Sequence, residues 1–192
     1  MFVQKTFPTE LQSTENFGSL KNYMINFENV AFESALDADG GDNDKVLFFG
    51  FLNSLYETGL PNPMDEAIRA CKLAKGNLYS KLDEIPFDFT RKRVSILVND
   101  PLENKIMITK GAFESILECC DNVELPGGVC EGIKEAMSRI KGIWKILASR
   151  GFRTQGVAYK KVKNTKITQE DESGMTFLGI ISFYDTNAKL WE

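Results

Sequence analysis

Apolar positions recur along this chain with two different periods. In "RVSILV", residues 93–98, they alternate, with Val94, Ile96 and Val98 on one side. "NDPLEN" reads as a turn, and "KIMITKG" returns as a partner strand. Together they predict a β-hairpin. "FRTQGVAYKKV" and "MTFLGIISFYD" read as two further strands, with the polar loop "NTKITQEDESG" between them. Helical spacing appears elsewhere. "KVLFFGFLNSLYET" is apolar on almost every side, which predicts a buried helix. The acidic, Gly-rich "DADGGDND" before it supplies an N-cap at Asn43 or Asp44. "GLPNP" breaks the chain. "MDEAIRACKLAK" then predicts a second helix, with Pro63 near its start and Gly76 just past its end. "AFESILECC" predicts a short helix and "VELPGGV" a loop or small hairpin. In "EGIKEAMSRIKGIWKILASRG", Ile133, Met137, Ile140, Trp144 and Leu147 share one stripe, and Gly151 closes the helix. Trp144 is therefore expected to be buried. The fold class is α+β: an antiparallel sheet flanked by helices.

Composition narrows the function. The chain has 192 residues, 43% of them hydrophobic and 26% charged, the profile of an ordinary globular protein. A net charge of −4 gives no general attraction to nucleic acid, and no such partner is expected. The chain has no histidine, which excludes Ser–His and Cys–His hydrolase mechanisms. Cys71, Cys119, Cys120 and Cys130 form no CxxC pair, so reduced thiols are expected rather than a zinc site. No apolar run reaches membrane-spanning length, so no direct membrane insertion is expected. Neither a GxxxxGK[ST] loop nor a GxGxxG turn occurs.

Three local features carry candidate chemistry. Phe87 and Phe89 stand beside Arg91, Lys92 and Arg93. That run fits a strand with Phe in the core and Arg in water. On residue types alone that is the favoured reading; an aromatic platform for a flat ligand with anionic groups is the alternative. Lys110 ends an apolar strand and is followed by Gly111, which would let a ligand approach the backbone. Arg153 opens a strand after a Gly-capped helix. Taken singly, the last two fit a solvated lysine and a surface arginine.

In this order, "FGFLNSLYETGLPNPMDEAI", "KLDEIPFDFTRKRVSILV", "ITKGAFESILECC", "SRGFRTQGVAY" and "FLGIISFYD" resemble the nucleotide-binding (N) domain of P-type ATPases, most closely the bacterial Mg²⁺-transporting branch. The resemblance runs over residues 21–185. It leaves 1–20 as an N-terminal arm or hinge remnant and 186–192 as a tail. It implies a site for ATP, taken as Mg-ATP. Phe89 would stack on adenine, Lys110 would line the base pocket, and Gly111 is the motif glycine. Asp65, or Glu66 beside it, would meet the base. Arg91 belongs to the basic run, and Arg153 would reach towards the polyphosphate. The implied setting is cytoplasmic, with the phosphorylation domain of a parent pump as partner. Gln4 lies about where that domain's nucleophilic aspartate would lie, and an amide cannot accept a phosphoryl group in that role. No catalysis is therefore expected from this chain alone. A free-standing, degenerate N-domain relative with a binding or regulatory role is the alternative.

Overall fold

The alternating runs become strands of one sheet, and the helices cover both of its faces. In the computed structural model, residues 30–59 and 62–186 are described. The arm, Gln4 and the tail beyond residue 186 lie outside them. The strands are β1 (Val30–Leu36), β2 (Ser80–Asp88), β3 (Arg93–Asn99), β4 (Lys105–Gly111), β5 (Cys120–Glu124), β6 (Cys130–Gly132), β7 (Arg153–Val162) and β8 (Met175–Asp185). Their order across the sheet is β2-β3-β4-β7-β8-β5-β6. β1 also pairs with β8, along residues 180–185, while β5 pairs with residues 175–177 of the same strand. The β5–β8 pair is parallel and the others are antiparallel. This is the expected α+β, antiparallel architecture.

Strand alternation builds two cores, one on each face. Ile96, Val98, Ile106, Ile108, Val157 and Ile181 face α1 (Asp44–Tyr56) and α2 (Pro63–Arg69). Leu97, Met107, Ala158, Phe177 and Ile180 face α3 (Phe113–Glu118) and α4 (Ile133–Ser149). Burying each large apolar side chain contributes about 1.5–3 kcal/mol. α1 starts as expected, with Asn43 as the N-cap accepting from the amides of Lys45 and Val46.

Three expectations need correction. The helix expected over 64–75 stops at Arg69, and the chain turns through Lys72, whose φ is +46°. Gly76 does not close that helix. It lies in a 3₁₀ turn, where a Cβ would meet Phe51 Cε1 at 2.7 Å. Trp144 is only partly buried: its ring stacks on Phe113 at 5.0 Å, and its Nε1 donates to Thr154 Oγ1. An indole whose N–H needs a polar partner stays at the rim of a core. The run from Phe87 to Arg93 is not one strand with its phenylalanines in the core: β2 ends at Asp88, Phe89 belongs to the following turn, and both rings are exposed.

Candidate functional site

Register gathers the candidate residues at one end of the sheet. Arg93 pairs with Gly111, and Gly111 with Gly156. The β2–β3 turn, the end of β4 and the start of β7 at Arg153 are therefore neighbours. The C-terminal end of α1 reaches the same place, since Asn53 Nδ2 donates to Val94 O at 3.2 Å and Ile108 O at 2.9 Å. α2 packs beside α1 and brings Asp65.

Phe89 forms the tip and is 81% exposed; Phe87 is 46% exposed. Their rings meet edge to face at 5.3 Å. The turn beneath them is tight. Asp88 Oδ1 accepts from the amides of Thr90 and Arg91, and Lys92 N donates to Asp88 O. Lys92 takes φ +52°, and its carbonyl accepts from Ala112 N at 2.9 Å. This explains Gly111. A Cβ there would run into Lys92 O and lie 2.6 Å from Arg93 Cα. On the side where a Cβ would point, the close approach that glycine permits is made by the protein's own turn.

Lys110 is 1% exposed and Asp65 3%. The Lys110 ammonium donates to Asp65 Oδ1 and, at 2.5 Å, to Ser54 Oγ. Ser54 Oγ in turn donates to Asp65 at 3.1 Å. Burial pushes the Asp65 carboxyl up, but the charge of Lys110 and the hydrogen bonds from Glu57, Lys110 and Ser54 together outweigh it, so the group stays below the usual carboxylate range. Glu57, the C-cap of α1, hydrogen-bonds to Asp65. Burial first, then the hydrogen bond to Asp65 and its charge, push Glu57 up, to about 8, against the opposing charges of Lys110 and Arg69. At neutral pH it therefore carries a proton and donates to Asp65. Arg69 Nη1 lies 3.7 Å from Glu57 and donates to Ser54 O. Glu66 is half-buried one position along α2.

Arg91 and Arg93 turn the other way. Both reach Glu172, in the β7–β8 loop, on the α3–α4 side of the sheet. Arg153 is exposed, with Nη2 3.4 Å from Asp185 Oδ2. The structure thus brings Lys110 and Asp65 into contact, sets Phe89 and Arg153 at the same sheet end, and directs Arg91 elsewhere. Ser54, Glu57 and Glu172 were not among the residues singled out from the sequence. Asn53 and Ser54 carried a signal, being two polar residues inside an otherwise apolar helix. Glu172 carried none, as one acid among several in a polar loop.

The sequence model for "P-type ATPase, cytoplasmic domain N" matches residues 27–187. The chain belongs to this family. Magnesium-transporting ATPase, P-type 1 of Escherichia coli (strain K12) is 30% identical over 195 residues, covering 95% of this chain. The protein of the same name from Salmonella typhimurium (strain LT2) is 30% identical over 196 residues, with the same coverage. The calcium-transporting ATPase of Bacillus subtilis (strain 168) is 28% identical over 109 residues, 56% of this chain. The chain spans 22% of the length of the two magnesium-transporting relatives and 12% of the calcium-transporting one. Among the described residues of this N domain, no helix is long and apolar enough to cross a membrane. The four cysteines are free thiols: Cys119 and Cys120 are buried, Cys71 is partly buried and Cys130 is exposed.

Proposed function

We propose that this N domain binds the adenine end of ATP, taken as Mg-ATP, at the sheet end framed by Phe89, Lys110, Asp65 and Arg153. The observation that carries the reading is Phe89: a large aromatic ring held in water at a hydrogen-bonded turn, in a chain of this family. An exposed ring gains little from folding, whereas a base stacked on it gains about 1–3 kcal/mol. The groups beside it suit the rest of the ligand. Asp65 offers an acceptor to an exocyclic amine, with Glu66 next to it. Arg153 is the exposed cation for phosphate, and a surface pair at 3.4 Å is a weak competitor for it. Such a site is shallow, so we expect an affinity on the order of 0.1–1 mM or weaker. In a parent pump of the magnesium-transporting kind, the domain would present the nucleotide to a phosphorylation domain.

Titration with adenosine and with ATP, followed by amide NMR shifts, tests this. Phe89→Ala should weaken both ligands alike, by roughly five- to 150-fold if the whole stacking energy is lost. Arg153→Ala should weaken ATP far more than adenosine, because its partner is phosphate. Equal losses for Arg153→Ala on both ligands contradict its role. Absence of shifts at millimolar ATP in the parent chain overturns the reading and favours a binding domain that has lost the nucleotide.

A further inference from the structure

Glu172 has a side chain with no solvent exposure, in a loop that is otherwise polar and largely exposed. Its carboxylate is saturated. Arg91 Nη1 donates to both oxygens at 2.6 Å, Arg93 Nε to Oε2 at 2.8 Å, and Ser95 Oγ to Oε1 at 2.7 Å. Ser95 Oγ also shares a hydrogen bond with Thr109 Oγ1 at 2.7 Å, which ties the cluster to β3 and β4. The two guanidiniums extend the clamp. Arg91 Nη2 donates to Pro86 O at 2.7 Å, across the base of the hairpin tip. Arg93 Nη1 donates to Ser115 O at 3.0 Å and Ser115 Oγ at 3.1 Å, on α3. Residues 90–93 line a groove of about 370 Å³ together with Ala112, Glu114, Ser115 and Glu118. Ser115 Oγ also donates to Arg91 O, so hydrogen bonds tie this end of the hairpin to α3.

We infer that Glu172 is a positioning residue for the nucleotide site: from the sheet face opposite Lys110 it clamps Arg91 and Arg93, fixes the tip that carries Phe89, and withholds both guanidiniums from phosphate. This rests on the nucleotide reading above. A stacking platform works best where it is held, and Phe89, 81% exposed, meets Phe87 edge to face at 5.3 Å. Diverting Arg91 to a phosphate would strip a fully buried carboxylate of a charged partner, which is strongly unfavourable. The basic run therefore acts on the ligand through geometry, while Arg153 acts on it through charge.

The test compares parent, Glu172→Gln, Arg91→Gln and Arg153→Ala. Each is titrated with adenosine and with ATP, and amide hydrogen exchange is measured without ligand. Glu172→Gln and Arg91→Gln should weaken adenosine and ATP by the same factor, about five- to tenfold, a part of the stacking energy. Both should also speed ligand-free exchange at the Lys92 and Ala112 amides, while the β7–β8 ladder keeps its protection. Arg153→Ala should show the opposite pattern, an ATP-selective loss with unchanged exchange. If Glu172→Gln melts below the titration temperature, Ser95→Ala, which removes one of the carboxylate's donors, should give a smaller loss that is again equal for both ligands. An ATP-selective loss in Arg91→Gln overturns the inference, as does unchanged exchange at Lys92 and Ala112 in Glu172→Gln. A parent chain that binds neither ligand rejects the nucleotide reading itself, while the exchange measurements still judge the clamp separately.

Discussion

Two buried ionic clusters sit at the same end of the sheet, one on each face, with opposite charge balance. Around Lys110, one ammonium meets two carboxyl groups, Asp65 and Glu57, and one of those keeps a proton. Around Glu172, one carboxylate meets two guanidiniums and a hydroxyl. The second arrangement is complete, with each oxygen receiving several donors. In the first, Asp65 accepts from Lys110, Ser54 and the protonated Glu57. Burial of charge therefore does not by itself mark a ligand site.

The comparison breaks first at Lys110. Lys110→Met should leave Asp65 as an uncompensated buried charge and cost about 3–5 kcal/mol, read as a shift in a urea melt. A loss below about 1 kcal/mol, the range of an exposed pair, would show that the pair is not buried.

A pH series sharpens the contrast. The folded chain holds the Glu57 proton up to about 8, against an ordinary value of 4.5. Across that window the folded state binds more protons than the unfolded one, so this group's contribution to stability falls as pH rises from 4.5 to 8. Glu57→Gln removes the dependence. Its melting temperature should gain on the parent through that interval and hold its lead above pH 8. A constant difference between the two chains across the series would show that Glu57 titrates normally.

The smallest effect belongs to Ser95. Ser95→Ala deletes one neutral donor from the saturated cluster and should cost about 1 kcal/mol. A change above about 3 kcal/mol would mean that the hydroxyl, rather than the guanidiniums, holds Glu172 in place.

What the sequence disclosed follows from the range of each interaction. The β3–β4 hairpin was legible because Val94, Ile96 and Val98 alternate locally, and Asn43 because capping involves residues two and three positions on. The gathering of Phe89, Lys110, Asp65 and Arg153 at one sheet end followed from the family resemblance, which orders segments far apart in sequence. Glu172 was illegible because its partners lie 77 to 81 residues away, and nothing in "TQEDESG" separates it from Glu170 or Asp171. Helix α2 was overextended because propensity continues past Arg69, whereas packing of Phe51 and Gly76 turns the chain sooner.

Val30 stands directly opposite Asp185 in the β1–β8 ladder. Paired residues of this kind keep their Cα atoms about 4.5–5.5 Å apart. The described fold thus begins and ends on adjacent rungs, at the sheet end that also carries Arg153, which pairs with Phe183. A body attached through two neighbouring strands swings as one piece on a single short stem. It can also be spliced into a surface loop of another protein without prising that loop apart. With Phe89, Lys110 and Arg153 at the stem end, a small rotation there carries all three together while leaving the distances between them unchanged.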